Sequence, residues 1–198
     1  VIVTGSIANA FAHSIKHCNH SELIAVFGRN KETLQTFSQK FDVAGINDID
    51  ELVASNGIDA IYIATPHSSH YEYALQAIKN NKHVLCEKPI AMNHIESMVL
   101  FGLAKDCGVF LMEAYMYRTH PQTFNILKNI ESLCGTNEKV KINASFGFHA
   151  EIPKDHRLRN PILGGGAIMD VGCYPLSMSK LLAGYILKKS YAVPRSIE

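Results

Sequence analysis

The sequence predicts an α/β protein: a parallel sheet covered by helices on both faces, followed by the incomplete start of an α+β unit with an antiparallel sheet. Three observations predict it. Through residue 115, short apolar runs rich in β-branched residues alternate with segments of helical periodicity, as right-handed crossovers between parallel strands require. The first run turns straight into an Ala-rich helix through Gly5 and Ser6. Beyond that point the alternation stops, and residues 139–148 instead switch between apolar and polar positions, as a strand with one wet face does.

Each element has its own justification. Residues 1–4 are apolar and β-branched, and residues 7–12 begin a helix. Residues 23–27 form the next buried strand, closed by Gly28, Arg29 and Asn30. In 31–40, Leu34 and Phe37 share a helical face. Ile49, Leu52 and Val53 mark a short helix that Gly57 ends. Residues 58–65 read as a strand stopped by Pro66, and 71–79 as a helix. A strand at 82–85, a helix at 94–105 and a strand at 109–112 complete the run. Past it, 123–133 is helical, 151–160 is polar and loop-like, and 170–182 is helical. Pro175 falls in the first turn of that last helix, where proline is tolerated. Residues 185–198 show no pairing partner.

Composition narrows the function. With 47% hydrophobic and 19% charged residues the chain is ordinary for a soluble globular protein. A net charge of +1 gives no general attraction to nucleic acid or acidic membranes. No apolar run reaches the roughly 18 residues of a membrane span. Five cysteines without a CxxC pair suit a reducing, cytoplasmic setting. Ten histidines lack ligand spacing, so no metal is expected.

Four motifs carry chemistry. Val3-Thr4-Gly5-Ser6-Ile7-Ala8 fits the G-x-G-x-x-G/A turn of a dinucleotide site at Gly5 and Ala8, with Val3 in the first glycine position. Gly5, Ser6 and Ile7 are thus expected at a pyrophosphate, in a Rossmann-type domain. Arg29, where an NAD site would present a carboxylate, favours the 2′-phosphate of NADP, with NAD as the alternative. Thr65, Pro66 and His70 follow a strand end and are candidates for the nicotinamide side, although His70 suits a structural role equally well. Glu87 and Lys88 close an apolar strand, which puts the Lys88 ammonium where α/β folds bind ligands; Pro89 fixes the chain direction there and is compatible with a cis bond. Three glycines, Gly164 to Gly166, argue for close backbone approach ahead of Asp170 and Tyr174, which are four positions apart and share a helical face. Convergence of these groups on one cleft would let Tyr174 act as general acid/base and Asp170 hydrogen-bond a substrate hydroxyl. Lys88 would lower the pKa of the hydroxyl or of the phenol.

Residues 5–8, 64–70, 83–89, 112–118 with His120 and Pro121, and 163–175 resemble the glucose–fructose oxidoreductase/inositol dehydrogenase family. Within it, they are similar to the dimeric dihydrodiol dehydrogenase and NADP-dependent D-xylose dehydrogenase branch. Many relatives carry His at the position of Tyr174, and Tyr marks the dihydrodiol branch. The resemblance implies Lys88 and Tyr174 as the catalytic pair, assisted by Asp170. It also implies a dinucleotide-binding domain over 1–115 and part of a substrate and dimerisation domain over 116–198, cut short relative to the family. The implied activity is hydride transfer between NADP and a sugar or cyclic diol, with a homodimer expected for a full-length form. The rival expectation is a non-catalytic dinucleotide-binding or regulatory relative.

Overall fold

A computed structural model of the chain describes residues 1–133 and 141–183. Two compact units divide it. The first comprises Val1–Ala114 and Ile152–Gly166, the second Tyr115–Glu151 and Ala167–Glu198.

Strands β1 (Ala25–Phe27), β2 (Ala44–Ile46), β3 (Ala60–Ile63), β4 (His83–Glu87) and β5 (Leu111–Ala114) build the first unit. Ile2 joins them into one sheet. It bridges Phe27 on one side and Ile63 on the other, both in parallel. Val3 N–H donates to Phe27 O at 2.8 Å, and Ala64 N–H donates to Ile2 O at 3.2 Å. The order is therefore β2, β1, the Ile2 segment, β3, β4, β5, and every pairing among the described residues is parallel. From the Ile2 segment the chain moves outward through β1 and β2, then crosses back to β3 and moves outward the other way. That reversal creates a crevice at the carboxyl ends of the Ile2 segment and β3, where open α/β sheets take ligands.

Alternation along the strands feeds two cores. Ile2, Phe27, Ile61, Ile63, Val84 and Cys86 pack with residues of α3 (Ile49–Ala54), α4 (His70–Lys79) and α5 (His94–Cys107). On the other side Val26, Tyr62 and Ala64 meet α1 (Ser6–Ile15) and α2 (Lys31–Phe41). Each fully buried Ile or Val contributes about 1.5–3 kcal/mol relative to exposure. Side-chain caps fix where the helices begin: Asn30 accepts from Thr33 N–H, and Asn93 from Glu96 N–H. Glu96 reaches back to Met92 N–H, a reciprocal pair of bonds at the start of α5. Strand β2 was not legible beforehand. It is three residues long, Ala-Gly-Ile, and exists because β1 offers an open ladder edge.

The second unit contains a 3-10 turn (Met116–Thr119), α6 (Pro121–Leu133), a π-helical turn (Ile168–Gly172) and α7 (Cys173–Leu182). Here one expectation is corrected. Residues 141–150 form no strand, and Phe146 and Phe148 are more than half exposed. A strand is stabilised by a ladder partner, and no second strand segment is found among the described residues of this unit. Lys139 and Val140 of the expected strand, and the tail from 185, lie outside the described residues.

Candidate active site

Gly5 occupies the N-cap position of α1, and no side chain caps this helix. Its first N–H groups therefore face the crevice as ready anion donors. Gly5 itself has an ordinary φ of −72°. A Cβ added there would come no closer to the chain than 3.8 Å, to Val3 Cγ1. The chain's own packing does not call for glycine at this position. Val3 does adopt a glycine-like backbone, with φ of +89°, an outlier for a β-branched residue. The turn thus keeps the backbone that the first glycine of the motif would supply.

Asn9, which sequence reasoning missed, holds the turn: its amide donates to Thr4 O at 3.1 Å and Gly5 O at 3.0 Å. Thr4 and Thr33 share a 3.0 Å hydroxyl contact that ties the turn to α2. An Asn one turn into a helix is a recognisable signal; the pairing of two distant threonines is not. Ser6, Ile7 and Arg29 are exposed, with Arg29 in the bend between β1 and α2.

Thr65 ends the β3 segment. Its hydroxyl is buried and has no hydrogen-bond partner among the described residues, an arrangement that costs free energy unless a ligand satisfies it. Pro66 follows, half-buried. His70 behaves differently. Its ring is fully buried, with Nδ1 2.8 Å from Pro89 O and Nε2 2.9 Å from Thr65 O. Burial holds its pKa below the usual value, against the pull of those two carbonyls. A neutral ring carries a single N–H and donates to one of them. His70 therefore clamps two loops, and its ring nitrogens are both turned to the backbone rather than to a ligand.

Lys88 is half-buried directly after β4, at the carboxyl edge of the sheet, and its bond to Pro89 is cis. Glu87 accepts a 2.5 Å hydrogen bond from the Tyr62 hydroxyl, and Tyr62 stacks on Phe11 at 3.9 Å. Burial, then this carboxylate, push the Tyr62 pKa well up. Glu113, also not foreseen, accepts from Ile90 N–H at 2.9 Å and so fixes the loop carrying Lys88.

Two glycines of the stretch, Gly164 and Gly165, serve the first unit's packing. Gly164 has φ of +77°, and His67 Nδ1 lies 2.8 Å from its carbonyl. A Cβ at Gly165 would lie 2.6 Å from Arg157 O and 2.7 Å from Asn160 O. At Gly164 and Gly165 the expected close approach is to the chain itself, whereas a Cβ at Gly166 would meet nothing within 4 Å among the described residues.

In the second unit, Asp170 sits in the π turn and Tyr174 in the first turn of α7, both half-buried. Such π turns recur at functional sites. Around Tyr174 stand Tyr115 at 5.6 Å, Tyr117 at 6.2 Å and Phe146 at 5.2 Å, ring centre to ring centre. Tyr117 donates to Ser177 Oγ at 2.7 Å. Lys88 thus belongs to the first unit, and Asp170 and Tyr174 to the second. A cavity of about 480 Å³, lined by Val1, Phe11, Leu23 and Tyr62 among others, opens at the amino ends of the strands. Parallel sheets bind ligands at the other end.

Residues 1–115 match the GFO/IDH/MocA oxidoreductase family, described by its NAD-binding Rossmann fold. The chain belongs to that family. D-xylose 1-dehydrogenase (NADP(+)) of Hypocrea jecorina is 33% identical, covering 89% of this chain and 50% of its own length. Trans-1,2-dihydrobenzene-1,2-diol dehydrogenase of Xenopus tropicalis is 34% identical, covering 86% and 52%. The crystal structure of a 3-ketoreductase from Actinomadura kijaniata, in complex with NADP and TDP-benzene, aligns with a TM-score of 0.81 at 27% identity. That alignment covers 92% of this chain and 56% of the reductase. The chain spans about half the length of the curated relatives it matches. Among the described residues, no helix is long and apolar enough to cross a membrane.

Proposed function

We propose that the chain carries the reactive half of an NADP-dependent oxidoreductase acting on a hydroxyl of a sugar or cyclic diol. One juxtaposition supports the reading: an open Gly5 turn without a side-chain cap, and a buried Thr65 hydroxyl without a partner among the described residues, flank the crevice where the strand order reverses. These groups fit a dinucleotide. The N–H groups of Ser6 and Ile7 would hold the pyrophosphate, Arg29 the 2′-phosphate, and Thr65 and Pro66 would border the nicotinamide. A nicotinamide held there would supply the hydride acceptor or donor for the substrate carbon. The chain's own part is proton handling. Tyr174 takes the hydroxyl proton as the alcohol is oxidised, Lys88 favours the phenolate by its charge, and Asp170 accepts a hydrogen bond from the substrate. The xylose and dihydrodiol dehydrogenases named above supply the substrate class. Among the described residues the thiols of Cys18, Cys86, Cys107 and Cys173 are free, which suits a reducing cytosol.

NADPH fluorescence with the purified chain, followed by turnover on a panel of sugars and diols, tests the proposal. Tyr174→Phe is expected to lower turnover by about 10²–10⁴-fold at unchanged NADPH affinity, and undiminished turnover sinks the proton role. Arg29→Ala is expected to weaken NADPH binding more than NADH binding. A second reading is a non-catalytic dinucleotide binder, which the open Gly5 turn and the buried Thr65 hydroxyl serve equally well. NADPH binding without turnover on any substrate of the panel would favour it.

A further inference from the structure

Tyr174 is held by its surroundings to a degree that its sequence neighbours do not explain. Three aromatic rings stand within 6.2 Å of it, and two of them meet it edge-on, Tyr115 at 85° and Phe146 at 79°. Tyr117 contributes more than a ring. Its hydroxyl donates to Ser177, which lies three positions after Tyr174 on α7 and so on the same face. Its backbone is fixed at the other end, because the Thr123 hydroxyl donates to Tyr117 O at 2.6 Å and His120 N–H to the same oxygen at 3.1 Å. Thr123 is itself buried. A residue anchored through its carbonyl to the start of α6 and through its phenol to α7 acts as a strut across the face that bears Tyr174.

We propose that Tyr117 is a positioning residue for Tyr174, fixing the phenol's orientation through ring contact and the Ser177 hydrogen bond. The proposal rests on reading Tyr174 as the proton-transfer group. Proton transfer is sensitive to placement, since an error near 1 Å costs about 10²-fold in rate. Neither Tyr117 nor Ser177 touches the reacting atoms in this scheme; both act through Tyr174.

The test uses the whole chain with isotope-labelled tyrosine rings, the Tyr174 signal being assigned by its loss in Tyr174→Phe. In the parent chain that signal is expected to be single and narrow. Tyr117→Phe and Ser177→Ala should each broaden or shift it to the same extent, the double variant should go no further, and Ser177→Thr should restore it. Turnover should fall about ten- to a hundredfold in kcat with the KM for NADPH unchanged. A Tyr174 signal that stays put in both single variants overturns the proposal. So does a general broadening of all tyrosine signals together with a fall in melting temperature, which marks a purely structural bond. If Tyr117→Phe fails to fold, Ser177→Ala carries the same test. Full turnover in Tyr174→Phe overturns the proton role instead, and the ring signals then decide the orientation of Tyr174 separately.

Discussion

The Gly5 turn and the Gly164–Gly166 stretch look alike on paper and differ in what approaches them. At Gly5 the chain leaves open space, since a Cβ would meet only Val3 at 3.8 Å. At Gly164 the same test meets His67 Cβ and Met92 Sδ at 2.7 Å, and at Gly165 it meets backbone oxygens. A glycine reports that something comes close. Only the neighbours tell whether that something is the fold or a guest. By this criterion Gly164 and Gly165 belong to the first unit's architecture, while the Gly5 turn is left open by the described chain.

The largest expected effect tests the packed side. Gly165→Ala forces a methyl group against two carbonyl oxygens and should destabilise the chain by about 3 kcal/mol, read from urea unfolding; a loss well below 1 kcal/mol would break the distinction. The open side should behave in the opposite way. Gly5→Ala is expected to leave the unfolding midpoint unchanged while weakening NADPH binding about tenfold, near 1.4 kcal/mol. Equal NADPH affinity in the two proteins would mean that no ligand uses the space.

A smaller effect sharpens the comparison at Val3. Its φ of +89° suits glycine, so Val3→Gly should stabilise the fold by about 1 kcal/mol. The relief of backbone strain is partly offset by the extra freedom glycine gives the unfolded chain. A loss of stability would show that the Val3 side chain, not its backbone, matters there.

The smallest effect concerns the histidines under the glycine stretch. Burial is the main cause that holds both His67 and His70 below their ordinary value of 6.5. For His67, the charges of Arg157 and Lys88 add to it. Below pH 6.5 the unfolded chain therefore binds more protons than the folded one, and stability falls as pH falls through that window. Urea midpoints should decline from about pH 7 to about pH 5.5, and His67→Asn, which cannot titrate, should flatten the slope. A midpoint independent of pH would mean that both rings keep equal proton affinity in the two states.

Much of this was legible in the chain alone, because hydrophobic periodicity and caps are local. The strands flanking the crevice, the helix after Gly5, and Lys88 at a strand end follow from runs of neighbours in sequence. Strand β2 was not legible, since three residues of weak propensity are recruited by the edge of β1. The expected strand at 139–148 had the right alternation and no ladder partner among the described residues. His70 was undecided in sequence because its role depends on two carbonyls, one of them nineteen positions away.

The sequence by itself determined the kind of sheet, the glycine turn between the first strand segment and its helix, and the positions of side chains whose chemistry permits proton transfer. Such properties reside in a residue's chemistry and its near neighbours. Tertiary structure decided which glycines are spent on packing, which hydroxyl at the crevice is buried without a partner, and which tyrosine braces another. Each of those depends on contacts between segments far apart in the chain, and no local pattern encodes a distant neighbour.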